Sequence, residues 1–175
     1  MALPTKPALV KAFNKVSFGF VLTVTPTAPT VLQLTATTGI NLTCYTFGDQ
    51  EMVTAETEKV TLPRLLCEST QYQSNGPTTY SMADVQATFS PQAAALSAGK
   101  KAWETLLEGA SGYLWRRQGI APDVDLAVGQ FIDLIPVDVG AGTPSQSGTG
   151  TDAVFTSMHT FSITGKPTWN VAISA

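Results

Sequence analysis

Residues 80–119 read YSMADVQATFSPQAAALSAGKKAWETLLEGASGYLWRRQG, and this stretch decides the fold class. In its first ten residues Ala83, Val85, Ala87 and Phe89 alternate with Met82, Asp84, Gln86 and Thr88, the period of a strand with one buried face. Ser90-Pro91 supplies a cap and a first-turn proline, and Leu96, Trp103, Leu107 and Ala110 make one stripe, so a helix is predicted over residues 93–110. Lys100, Lys101, Glu104 and Glu108 lie off that stripe as an ordinary solvated face, and Gly109 and Gly112 end the helix. The chain returns as a strand over residues 112–119, with Trp115 packed and Arg116-Arg117 divided between the two faces.

Upstream, Phe18, Phe20, Leu22 and Val24 share one face of a strand that follows a basic arm, residues 1–15. Prolines 26 and 29 turn the chain, and residues 31–35 and 42–47 read as further strands of an antiparallel meander. Over residues 48–79 the pattern weakens: Asp49, Glu51, Glu56 and Glu58 cluster and Pro63 interrupts an apolar run. This reads as a long loop, and loops of that length in compact domains usually serve binding or assembly. Downstream, residues 131–139 form a strand, GAGTPSQSGTG at 140–150 a flexible loop, and residues 154–164 and 169–173 a terminal hairpin turned at Gly165-Lys166-Pro167. The expected fold is one domain, residues 1–175, mainly β: an antiparallel β-sandwich or partly closed barrel with one packed α-helix.

Composition narrows the function. Charged residues make up 13% of the chain, about half the usual share, so much of the surface is uncharged and suited to burial against neighbours. A net charge of −3 argues against a nucleic-acid grip, which needs a basic patch. Before Asp49 the charged side chains are Lys6, Lys11 and Lys15, whereas residues 118–165 carry Asp123, Asp125, Asp133, Asp138 and Asp152. That polarity suits contact between copies, or an acidic wall to which DNA does not adhere. Cys44 and Cys67 lack metal spacing and read as small buried hydrophobes. The first residues lack the apolar core of a signal peptide, and no apolar run is long enough for a membrane span, so a cytoplasmic protein without a membrane anchor is expected.

Chemistry is not legible. His159 is the single histidine and shares a strand face with Phe155 and Phe161, the setting of a packed core or interface residue. Asp133 and Asp138 have opposite parity in one strand, which is poor geometry for paired carboxylates. No phosphate-binding glycine motif is present. The reading is of a protein that is not an enzyme and has no catalytic, metal or cofactor residues.

The low charge and the Thr- and Ser-rich later strands leave sheet edges open to pairing between copies. In its order of parts the chain resembles the major tail tube proteins of long-tailed bacteriophages. The parts are the arm 1–15, the strand from Phe18, the acidic segment 48–79, residues 80–89, one helix, residues 112–120, then Phe131-Ile132-Asp133-Leu134-Ile135-Pro136-Val137 and a Thr-rich ending. The resemblance implies self-assembly into stacked hexameric rings that form the tail tube, the conduit for DNA ejection. It implies inter-ring contacts from Lys6, Lys11, Lys15, Asp49, Glu51, Glu56 and Glu58, and a lumen faced by Asp133 or Asp138. Its implied partners are other copies and tape-measure, tail-tip and tail-terminator proteins, with DNA passing unbound through the lumen of a virion tail assembled in the host cytoplasm. The alternatives are a head-decoration or neck protein of the virion, or a monomeric β-sandwich binding module.

Overall fold

Leu114 and Trp115 are adjacent in sequence and lie in two different cores, one on each face of a curled sheet. The computed structural model describes residues 12–47, 53–67 and 69–175. Its elements are β1 (Val16–Val21), α1 (Val31–Leu34), β2 (Ile40–Asn41), β3 (Thr54–Thr61), β4 (Gln73–Ser81), β5 (Val85–Thr88), α2 (Lys101–Thr105), β6 (Ser111–Gln118), β7 (Phe131–Ser147), β8 (Val154–Ile163) and β9 (Thr168–Ala172). The main sheet runs β2-β1-β6-β7-β8-β5, with β9 on β7, and β3 and β4 form a separate antiparallel pair. The fold is mainly β and curls into a half-barrel, as the alternation predicts.

The curl brings the two outer strands toward one connecting segment. Leu42 N–H donates to Phe18 of β1 (2.9 Å), while Phe47 N–H donates to Gln86 of β5 (3.3 Å) and Thr88 N–H to Tyr45 (2.6 Å). The segment is thereby hydrogen-bonded to strands near both ends of the sheet path. Inside the curl sit Phe18, Phe20, Leu42, Val85, Leu114, Ile135, Val137 and Phe161, covered by Ala102 and Leu106 of α2 and its C-terminal turn. On the outer face Val21, Val24, Trp115, Ile132, Leu134 and Ile173 pack with Leu34 of α1. Gly19 makes room for this outer core: a Cβ there would lie 2.7 Å from the Trp115 ring. Trp115 is packed and Arg116 and Arg117 take opposite faces, both as expected.

Several expected elements take another form. Residues 80–89 are two strands, since β4 ends at Ser81 and β5 starts at Val85, although Val85 and Ala87 do face the core. The helix shrinks from residues 93–110 to the five of α2. Leu96 has a left-handed backbone (φ 56°), incompatible with a helix, and Ser90 N–H closes residues 90–99 into a loop by donating to Gly99. Leu96 and Leu107 are exposed; the buried pair is Ala102 and Leu106, one turn apart. Of the strand expected over residues 31–35, Val31–Leu34 are helical, because Thr30 and Gln33 form a reciprocal capping box. Residues 42–47 make a turn plus an isolated bridge, Thr46 to Ala87, in place of a strand.

The segment read as a loop at 48–79 contains β3 and most of β4. Its proline and glycine residues misled: Gly76-Pro77 lies within β4, whose far edge is unpaired and so tolerates a residue without an N–H. Residues 140–147 likewise continue β7 beyond a bulge between Val139 and Gly142, so only 148–150 of the expected glycine-rich loop lies outside the strand. The terminal hairpin is absent as well. β8 and β9 both pair with β7, Ile163 opposite Val137 and Thr168 opposite Leu134, so residues 164–167 are an outward bend in one path along a single edge. Cys44 and Cys67 are exposed, not buried.

Candidate assembly interface

Among the described residues, the strands of the β3–β4 hairpin lie outside both cores. Thr54 pairs with Ser81 and Thr61 with Gln73, and every residue of β3 is exposed. Side chains bridge the strands at Thr57 and Thr78 (2.9 Å) and at Thr54 and Ser81 (2.7 Å). At the root Val53 and Met82 pack on the inner core, and beyond them the hairpin has no core of its own. A lone two-stranded hairpin is marginally stable in water. Leu62, Leu65, Leu66 and Tyr72 at its far end are exposed apolar side chains.

Of the residues expected to make assembly contacts, Glu56 and Glu58 lie on β3 in water. Lys15 is half-buried just before β1, its carbonyl accepting from Gly119 N–H (2.8 Å). Lys6, Lys11, Asp49 and Glu51 lie outside the described residues. Asp133 and Asp138 do face opposite sides of β7. Asp133 accepts from Arg116 (3.0 Å) in the single ion pair found among the described residues and from Asn170 N–H (2.9 Å). Asp138 is half-buried opposite Ser111 and Ser162.

Two buried polar groups organise the body: His159, whose packed setting the sequence predicts, and Arg117, whose cage of carbonyls it does not. The Arg117 guanidinium donates to the carbonyls of Ala121, Val124 and Asp125, to Gln130 Oε1 and to Ser17 Oγ, at 2.6–3.3 Å. It folds residues 119–130 around itself, and burial lowers its pKa against the opposing pull of Asp125. His159 is buried as expected, with Nε2 3.0 Å from Ser157 Oγ and its ring 5.7 Å from that of Trp103, which in turn stacks near Phe89 (5.0 Å). An Arg two residues beyond a core Trp, and a His between two Phe positions, were the available signals.

Burial holds the His159 imidazole below its ordinary value of 6.5. The folded state therefore binds fewer protons than the unfolded chain below pH 6.5, and stability falls as pH drops through that value toward the lowered folded pKa. Urea unfolding between pH 7 and 5 is expected to show a loss of up to about 1.4 kcal/mol per pH unit, absent from His159→Gln. An unchanged slope in that variant would locate the acid sensitivity elsewhere.

The phage tail tube protein family model matches residues 4–175. The chain belongs to that family. A chain in the cryo-EM structure of the anti-feeding prophage baseplate, 6-fold symmetrised, shares the fold, with a TM-score of 0.50 at 9% identity, covering 96% of this chain and 98% of that one. No curated protein matches. This tail tube family member is thus a structural component of a phage tail, and of the virion. No helix among its described residues is long and apolar enough to cross a membrane.

Proposed function

We propose that copies of this chain form hexameric rings that stack into the tail tube, through which DNA leaves the virion. The exposed β3–β4 hairpin carries this reading, because its two strands lack a core of their own and a neighbouring copy would supply one. Family membership supports it, as does the likeness of the fold to a chain in a six-fold symmetrised baseplate. In this reading the chain is a single domain, the arm at residues 1–15 and the hairpin segment at 48–79 join ring to ring, and Lys6, Lys11, Lys15, Asp49, Glu51, Glu56 and Glu58 contribute to those contacts. Asp133 is already paired with Arg116, which leaves Asp138 as the better candidate for a lumen that repels DNA. The ends of the tube would meet tape-measure, tail-tip and tail-terminator proteins, with assembly in the host cytoplasm. No catalytic role or cofactor is assigned.

Negative-stain electron microscopy and sedimentation velocity on the concentrated protein, alone and co-expressed with its tail-tip and tape-measure partners, test this. Rings or hollow tubes of uniform width are expected under at least one condition. A monomer under all of them would remove the proposal.

A further inference from the structure

The chain contains three arginines. Arg116 is paired with Asp133 and Arg117 is caged by carbonyls, both within the fold. Arg64 is exposed at the far end of the hairpin between exposed Leu62, Leu65 and Leu66. A cation among leucines on a projecting tip is an arrangement that serves contact, since solubility alone would not need the leucines.

The body of the molecule offers a pocket of about 150 Å³ lined by Trp103, Leu106, Leu107, Glu108, Gly142 and His159. Gly142 keeps one wall of it open. A Cβ there would lie 3.1 Å from Trp103 Cζ3 and 3.2 Å from His159 Nδ1, filling the space between them. His159 is wholly buried and its Nδ1 has no hydrogen-bond partner. The Nε2–Ser157 Oγ contact is compatible with either tautomer; in the one protonated at Nε2, Nδ1 presents a lone pair, a buried acceptor that costs free energy until it is met. The pocket therefore combines an unmet neutral acceptor, an indole, aliphatic walls and an exposed carboxylate, Glu108. A guanidinium satisfies all four: it donates to nitrogen, stacks on indole, pairs with carboxylate and carries an apolar stem.

We propose that this pocket receives Arg64 from the hairpin of a second copy of the chain, with Leu65 and Leu66 packing beside exposed Leu107. The opposite charges of Arg64 and Glu108 select the orientation. The inference rests on the self-assembly reading and names the site that receives the hairpin.

The test uses the full-length chain with a photo-crosslinking benzoylphenylalanine at Leu66, mixed with a ¹⁵N-labelled copy so that links between copies are separated by mass. Irradiation of the concentrated mixture is expected to join position 66 of one copy to residues 103–108 of the other. Arg64→Lys in the donating copy lowers the yield about tenfold, since an ammonium lacks the planar fork. Gly142→Val in the receiving copy abolishes it; the Arg64 variant is at an exposed site and leaves the comparison intact if the Gly142→Val chain folds poorly. Links confined to one chain, links to another surface, links indifferent to Arg64→Lys, or no links at all overturn the proposal. Tubes that form with links elsewhere refute the pocket and keep the assembly reading; links to 103–108 without rings or tubes do the reverse.

Discussion

Arg117→Met is expected to lower the unfolding free energy by about 3–5 kcal/mol, enough to unfold much of the population at growth temperature. The guanidinium is buried against Trp115's side of the sheet and makes five hydrogen bonds, three of them to carbonyls of residues 121–125. Removing it leaves the Val124 carbonyl and Gln130 Oε1 without a donor, at about 1–3 kcal/mol for each that water cannot reach, while the carbonyls of Ala121 and Asp125 keep Val124 N–H and Gln130 Nε2. The damage spreads, because residues 129 and 130 exchange backbone hydrogen bonds with Ile173 and so hold the end of β9. Arg116→Ala serves as the contrast. Its partner is at the sheet surface and the pair retains partial access to water, so a loss of about 1 kcal/mol is expected. Urea denaturation of both variants reads the difference directly. Equal losses would mean that the cage around Arg117 is replaceable by water and does not organise the loop.

Replacing residues 54–81 by a two-residue Asn-Gly turn between Val53 and Met82 should abolish rings and tubes while the remaining body stays folded. The register brings Thr54 opposite Ser81, so a short turn spans the gap without strain. Val53 and Met82 retain their packing on the inner core, and the deleted strands are exposed throughout β3 and nearly so in β4. The melting temperature should therefore move by only a few degrees, about 1 kcal/mol for a domain of this size. Tubes of wild-type length from this variant would show that stacking is carried by another element. A melting temperature lowered by tens of degrees would show instead that the hairpin is part of the folding unit.

Strand period was legible in β6 and the start of β7, but not at the end of β1, where the strand stops at Val21, Leu22 is exposed and Val24 packs in the outer core away from Phe18 and Phe20. β6 was readable from Gly112 to Gly119 because Leu114 and Trp115 had to face opposite ways, and the start of β7 from its alternating Ile and Leu. The buried setting of His159 followed from its place between Phe155 and Phe161, even though Phe155 itself is exposed. The hairpin escaped because it has no buried face and therefore no alternation to read. Its remaining signal was β-branched content, Thr54, Thr57, Val60 and Thr61 on one strand and Thr78 and Thr79 on the other, which acts as a local preference without a period. The candidate pocket had no signal at all, since it joins α2, Gly142 and His159 from three separate parts of the chain.

The amino-acid sequence by itself determined a mainly β chain with low charge, an Arg pair split across a strand, and an order of parts resembling tail tube proteins. Those properties are local or additive, set by side-chain period and composition. Only the tertiary structure decided that residues 90–100 would not be helical, that β8 and β9 would share one edge of β7, and that residues 40–47 would tie strands near both ends of the curled sheet. Each of these depends on which distant strand supplies a hydrogen-bond partner. A backbone N–H or C=O is the same in every residue but proline, so its partner is chosen by packing and is not written at its own position.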